Sequence, residues 1–183
     1  MKTTSRFVAI YLLAFSSFAQ AEFYFGGNYG LSQIEYEKVK DGSAYKAFVG
    51  YIFANNFAVD IALLDSGEMD IDPENTVFED DSLYMQFQGM SYSAAYYLRP
   101  TEEANWYMSA KVGVYDIETK GKIRNTGEQI TESTMGLGWG IGIGYLLFNH
   151  ISLGFDVDGY YGVEDFADKK TLTIVTGRLA FHF

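Results

Sequence analysis

Along most of this chain apolar residues alternate one by one with polar or small ones. A repeat of two places successive side chains on opposite faces of a strand. The clearest run has Met135, Leu137, Trp139, Ile141, Ile143 and Tyr145 interleaved with Thr134, Gly136, Gly138, Gly140, Gly142 and Gly144. Seven more stretches read the same way: 22–32, 44–53, 57–64, 83–98, 106–115, 151–158 and 172–183. In 22–32 the apolar face is Phe23, Phe25, Tyr29 and Leu31, and in 57–64 it is Phe57, Val59, Ile61 and Leu63. The stretch 83–98 changes phase, from Leu83, Met85 and Phe87 to Met90, Tyr92, Ala94, Tyr96 and Leu98. The change falls at Gly89, where a β-bulge would restore the faces.

The connections alternate in length. Segments 33–42, 65–81, 116–132 and 162–170 are long and polar. Between them lie tight turns at Asn55-Asn56 and Asn149-His150 and a short polar turn at 101–105. Eight strands joined this way predict an all-β, eight-stranded antiparallel up-and-down barrel. Short turns on one side and long loops on the other are the habit of transmembrane barrels, and an even strand number returns both termini to the periplasmic side. The last strand ends on Phe181-His182-Phe183, an apolar aromatic finish suited to an interfacial girdle. Phe23, Tyr45, Phe53, Phe57, Tyr96, Trp106 and Tyr145 also sit near strand ends and are expected in girdles.

The second face decides between a membrane barrel and a soluble carrier. A water-facing exterior is dense in lysine and glutamate. This face is instead small, with few charges: Lys46, Asp60, Lys111, Asp156, Asp158 and Arg178, with Arg99 at a strand end. They are expected to form a lumen charge network, because an unpaired buried charge is expensive. Glycine at every second position of 134–145 leaves room across the lumen for Tyr107, Lys111 and Tyr115. Eight strands enclose space that side chains can fill. A filled interior is therefore expected, with a narrow gated channel as the rival reading of the same charges.

Composition agrees with many strands: 15 Tyr, 15 Phe and 19 Gly against 2 Pro among 183 residues. The absence of cysteine excludes a disulfide framework and a thiolate metal site. A net charge of −11 offers no basic patch for phosphates, so no nucleic-acid partner is expected. Residues 1–21 read as a cleaved secretory signal peptide: Lys2 and Arg6, an apolar core from Phe7 to Phe18, and Ala19-Gln20-Ala21 for cleavage. The apolar core is shorter than the roughly 20 residues that span a bilayer. Residues 22–183 then form the barrel domain.

Three motifs carry a resemblance. Phe23-Tyr24-Phe25-Gly26-Gly27-Asn28-Tyr29-Gly30 resembles the opening strand of small OmpA-like and OmpX-like outer-membrane barrels. The run from Phe48 to Asp60 is similar to that family's second hairpin. Phe181 and Phe183 resemble the signal read by the barrel-assembly machinery, although the glycine usual five positions before the last aromatic is replaced by Arg178, with Gly177 one earlier. The resemblance implies a Gram-negative outer-membrane location, passage by periplasmic chaperones, contact with outer-membrane lipid and lipopolysaccharide, and a surface role through loops that meet host, phage or cell-surface ligands. No peptidoglycan-binding domain like that of full-length relatives is expected, so the resemblance implies no cell-wall tether.

Two motifs suggest chemistry and are weighed against it. His150, Ser152 and Glu164 are spaced like the triad of outer-membrane lipid A deacylases. The predicted topology places His150 at a periplasmic turn and Glu164 outside, about 25 Å apart. No enzyme and no catalytic residue are therefore expected. Asp70, Asp72, Glu74 and Asp81 faintly resemble a calcium loop that lacks its turn glycine at Asn75. A solvated acidic loop is expected instead, with neither metal nor cofactor.

Overall fold

The computed structural model describes residues 22–34, 39–53, 56–71, 83–101, 104–123, 129–148, 150–165 and 168–183. The signal-peptide segment lies outside them, so the expectation for it stands as a sequence reading. The described residues form nine strand segments: β1 (Glu22–Ile34), β2 (Gly42–Ile52), β3 (Phe57–Asp65), β4 (Met69–Ile71), β5 (Leu83–Leu98), β6 (Trp106–Ile123), β7 (Gln129–Leu147), β8 (Ile151–Asp165) and β9 (Asp168–His182). Neighbours run β3-β2-β1-β9-β8-β7-β6-β5, and β3 also pairs with β5, so the sheet closes on itself. Three-residue β4 continues the line of β3 along β5, which makes eight walls. The break between β3 and β4 is absorbed by Gly67, whose φ of 66° is a left-handed value that glycine adopts without strain. Ser66 keeps the ladder whole there: its N–H donates to Phe87 O (2.8 Å), and its hydroxyl accepts from Phe87 N (2.8 Å).

Alternation sets the two faces as expected. Outward residues form a belt that includes Val112 (68% exposed), Leu137 (66%) and Phe155 (69%). Apolar exposure on this scale around a whole circumference belongs to a surface that meets lipid, not water. On β6 the belt runs from Trp106 to Val114, close to the 9–11 residues of a tilted membrane strand. Rings at the short-turn end pair up, Phe57 with Tyr96 (5.0 Å between centroids) and Phe25 with Phe181 (5.6 Å) and Phe183 (5.7 Å).

Two expectations fail, for one physical reason. There is no bulge at Gly89: the register runs unbroken through Gln88↔Glu118, Gly89↔Ile117 and Met90↔Asp116. Met85 and Phe87 simply face inward, while Gln86 and Gln88 face outward. The loops are also shorter than expected, since β6 continues to Ile123, β7 begins at Gln129, β8 reaches Asp165 and β9 begins at Asp168. Past Val114 the outward residues become Asp116, Glu118 and Lys120, and the inward ones Tyr115 and Ile117. The strands have left the lipid belt and entered water, so the apolar face turns inward, as in a soluble barrel. A hydrophobic phase switch reads as a bulge or a loop only if the surrounding medium is assumed constant. The bulge that does occur lies between Tyr161 and Val163, at Gly162 (φ 85°).

Candidate functional site

Inward residues stack in four tiers from the short-turn end to the loop end. The first holds Glu22 (β1), His182 (β9) and Ser152 (β8). His182 Nε2 lies 2.9 Å from Ser152 Oγ, and its Nδ1 meets the Glu22 carboxylate. The second tier is aromatic. Tyr24 packs on Phe48 (5.9 Å) and Tyr97 (6.3 Å), and Tyr97 packs on Tyr107 (5.4 Å), with Ala58, Ala95 and Ala180 filling between them.

The third tier is charged. Lys46 pairs with Asp158. Lys111 bridges Asp158 (3.0 Å) and Asp156 (3.4 Å). Arg178 reaches Asp156 (3.4 Å) and donates from Nη2 to the Tyr107 hydroxyl (2.5 Å). Asn28 donates to Asp156 Oδ2 (3.0 Å) and Thr176 Oγ1 (2.9 Å). Asp60 takes hydroxyl donors instead of a cation: Ser93 at 2.6 Å and Tyr24 at 3.3 Å. Arg99 lies one residue past the end of β5, half-buried, and stands outside this cluster. Six of the seven charges singled out by sequence thus meet in one layer, as three cations and three carboxylates.

Strand β7 makes that layer possible. A side chain at Gly140 would strike Asp158 and Lys111, one at Gly142 would strike Asp156 and Ser109, and one at Gly144 would strike Tyr107. The bare strand is the space over which side chains of its two neighbouring strands, β6 and β8, lie. The fourth tier, at the loop end, is apolar: Leu64, Met69, Met85, Phe87, Ile117 and Leu172, with Tyr115 set edge-on to Tyr160 (5.4 Å, 82°). Among the described residues, small cavities lie in and beside the charged tier. One of about 30 Å³ is lined by Lys46, Asp60, Lys111, Asp158 and Tyr160, and one of about 10 Å³ by Tyr24, Lys46, Asp60 and Arg178. A water needs about 10–15 Å³, so the larger has room for a water or two and the smaller for at most one.

The triad weighed from sequence does not assemble. Ser152 faces inward to His182, while His150 Nδ1 lies 3.4 Å from the backbone oxygen of His182. Glu164 is twelve residues further along β8, roughly 40 Å of strand away. Sequence reasoning placed Tyr107 in the lumen but missed Glu22, Tyr24 and Asn28 as lumen partners. Parity alone would have placed Glu22 on the His182 side, and the expected barrel closes its first strand on its last, but nothing in the sequence set the register between them. Of the acidic run, Asp70 is described in β4, and Asp72, Glu74, Asn75 and Asp81 lie outside the described residues. Among the described residues no cluster of three metal-ligating side chains occurs.

A closed eight-walled barrel with an apolar belt and its charges gathered inside defines a transmembrane β-barrel. The chain belongs to the family of the outer membrane protein beta-barrel domain, whose model matches residues 6–183, and it is a protein of the bacterial outer membrane. No curated protein sequence matches it significantly. Among solved structures it is similar to a major outer membrane protein of Thermus thermophilus, at 16% identity over 90% of this chain and 100% of that one, with a TM-score of 0.64. It is also similar to OprG of Pseudomonas aeruginosa (14%, 89% and 96%, TM-score 0.59). A third is Ail, the attachment invasion locus protein of Yersinia pestis, solved with the heparin analogue sucrose octasulfate (14%, 89% and 97%, TM-score 0.55). At such identities these likenesses concern the fold.

Proposed function

We propose that this barrel is a surface-interaction protein: its lumen is a filled structural core, it performs no catalysis, and its outer rim docks an extended segment of a partner. The observation that carries the reading is a strand edge above the lipid belt that no other described strand pairs. β7 pairs with β6 from Gln129 to Tyr145, but with β8 only from Leu137 inward. Residues 129–136 therefore have no described partner strand on the β8 side. β8 departs at the Gly162 bulge, and the Tyr115 hydroxyl donates to Tyr161 O (2.6 Å) where the walls separate. A free row of backbone donors and acceptors is a template for strand addition. Host, phage and neighbouring-cell proteins are the expected partners, while lipopolysaccharide surrounds the outer part of the belt. Phe181 and Phe183 serve as the signal to the assembly machinery, after delivery by periplasmic chaperones.

The two apolar tiers and the small cavities support a lumen without steady conductance, against the narrow-channel reading. Lys46, Asp60, Lys111, Asp156, Asp158 and Arg178 act there as a structural network. The test combines bilayer recording with binding of the detergent-solubilised barrel to an array of extended peptides. Thr131→Pro and Glu132→Pro are examined separately, because successive residues point their N–H groups to opposite sides of a strand. No steady current is expected. One of the two proline variants should keep its heat-dependent gel shift and lose peptide binding. A steady, charge-selective current, or identical binding by both variants, would refute the reading.

A further inference from the structure

β1 and β9 close the barrel, yet their pairing is poor in side chains. Gly26 faces Ala180, Gly27 faces Leu179, Tyr29 faces Gly177 and Gly30 faces Thr176. On the lipid side Gly27 and Gly177 lie in a groove flanked by Leu153, Phe155 and Leu179. Cross-strand side-chain pairs are the unit of sheet stabilisation, so this seam depends on a few tie points. At the loop end Ile34 faces Leu172, both buried in the apolar tier. In the middle Asn28 bonds across to Thr176.

We propose that Glu22, His182 and Ser152 are the tie at the short-turn end, a clasp that holds the closing seam shut from inside. The three residues stand on three adjacent strands, β1, β9 and β8, and their hydrogen bonds run without a gap from carboxylate to imidazole to hydroxyl. The order of groups is that of a serine nucleophile's relay. Its setting is not. Ser152 has no solvent exposure, and neither lumen cavity touches it, so no substrate carbonyl can reach the hydroxyl.

What the order supplies is continuity. A neutral imidazole donates from Nδ1 to Glu22 and accepts the Ser152 proton at Nε2. A protonated imidazole donates from both nitrogens, and the serine hydroxyl rotates to accept. The clasp therefore holds in either histidine state. Tyr24 stacks on His182 (5.8 Å, 21°) and fixes the ring. On the lipid side Phe25 lies against Phe181 and Phe183, and Phe183 N donates to Phe23 O (2.9 Å), so the same end of the seam is gripped from both faces.

The test is amide hydrogen exchange on the folded barrel, comparing wild type with Glu22→Gln, His182→Leu, Ser152→Ala and the Glu22→Gln/His182→Leu double variant. Loss of a charge-assisted, part-buried hydrogen bond should quicken exchange several-fold, up to about tenfold, at 23–25 and 181–183, and leave β5 and β6 unchanged. The double variant should exchange no faster than His182→Leu alone, since both break one chain of bonds. If His182→Leu does not fold, the isosteric Glu22→Gln carries the test. Unchanged seam exchange, an effect spread evenly around the barrel, or additivity would overturn the clasp. Labelling of wild-type Ser152 by a fluorophosphonate would overturn it too, by showing that the hydroxyl is reachable and activated.

Discussion

Asp158→Asn removes a charge without changing shape, so it isolates the electrostatics of the lumen. In the native barrel the Asp158 carboxylate is held by Lys46 and Lys111, and the side chains of Lys46 and Asp158 are each only 6% exposed. The substitution leaves three cations facing Asp60 and Asp156. Lys111 keeps Asp156, so the burden falls on Lys46, which loses its ion pair while staying buried. Breaking a buried pair by removing one partner costs about 3–5 kcal/mol. The neighbouring cavity of about 30 Å³ admits a water or two beside Lys46, which favours the lower figure, about 3 kcal/mol. With a urea slope of about 2 kcal/mol/M for a small protein, the unfolding midpoint should fall by roughly 1.5 M. The assay is urea titration in lipid vesicles followed by the emission of Trp106 and Trp139, both on the lipid face, with the heat-dependent gel shift as the check on folding. Lys46→Met together with Asp158→Leu should recover most of the loss, because a paired cost is removed with the pair. A midpoint within about 0.3 M of wild type (about 0.6 kcal/mol at the same slope) would refute the reasoning. It would show that water or salt already screens these charges, and hence that the lumen is open.

Two further substitutions separate packing from composition. Gly144→Ala and Gly138→Ala are the same change on the same face of β7, but a methyl at Gly144 meets the Tyr107 ring and Arg178, whereas at Gly138 the nearest atom is Tyr160 Cδ1 at an ordinary 3.5 Å. Gly144→Ala should therefore cost about 1–3 kcal/mol as Tyr107 is pushed aside, and Gly138→Ala should be neutral or stabilising by a few tenths, in the same urea titration. Tyr115→Phe removes the 2.6 Å bond to Tyr161 O where β7 and β8 part; a loss of about 1 kcal/mol and faster amide exchange confined to 161–165 are expected.

Much of the architecture is written in parity. Residues of one sign of alternation meet lipid, and the others meet each other, because a strand offers only two faces and the solvent on one of them is hydrocarbon. The number of walls, the belt, the narrow bore and the glycine-lined strand follow from that rule, and so does the list of inward charges. Parity also misled at Gly89 and in 116–132. It reports which face is apolar but not what lies outside, and there the outside changes from lipid to water.

Which inward groups touch is a different kind of fact. Lys46 and Asp158 are 112 residues apart, and Glu22 and His182 are 160 apart. Their meeting depends on the register of strands, including that of β1 against β9 where the expected barrel closes, and no local pattern encodes a register. By itself the sequence determined the faces, the strands and the class of barrel, since each is settled by neighbours along the chain and by the medium. The tertiary structure alone decided the partners: the charge layer between two apolar tiers, the clasp at the seam and the open edge of β7. Those depend on how far each strand slides past the next before the ring closes.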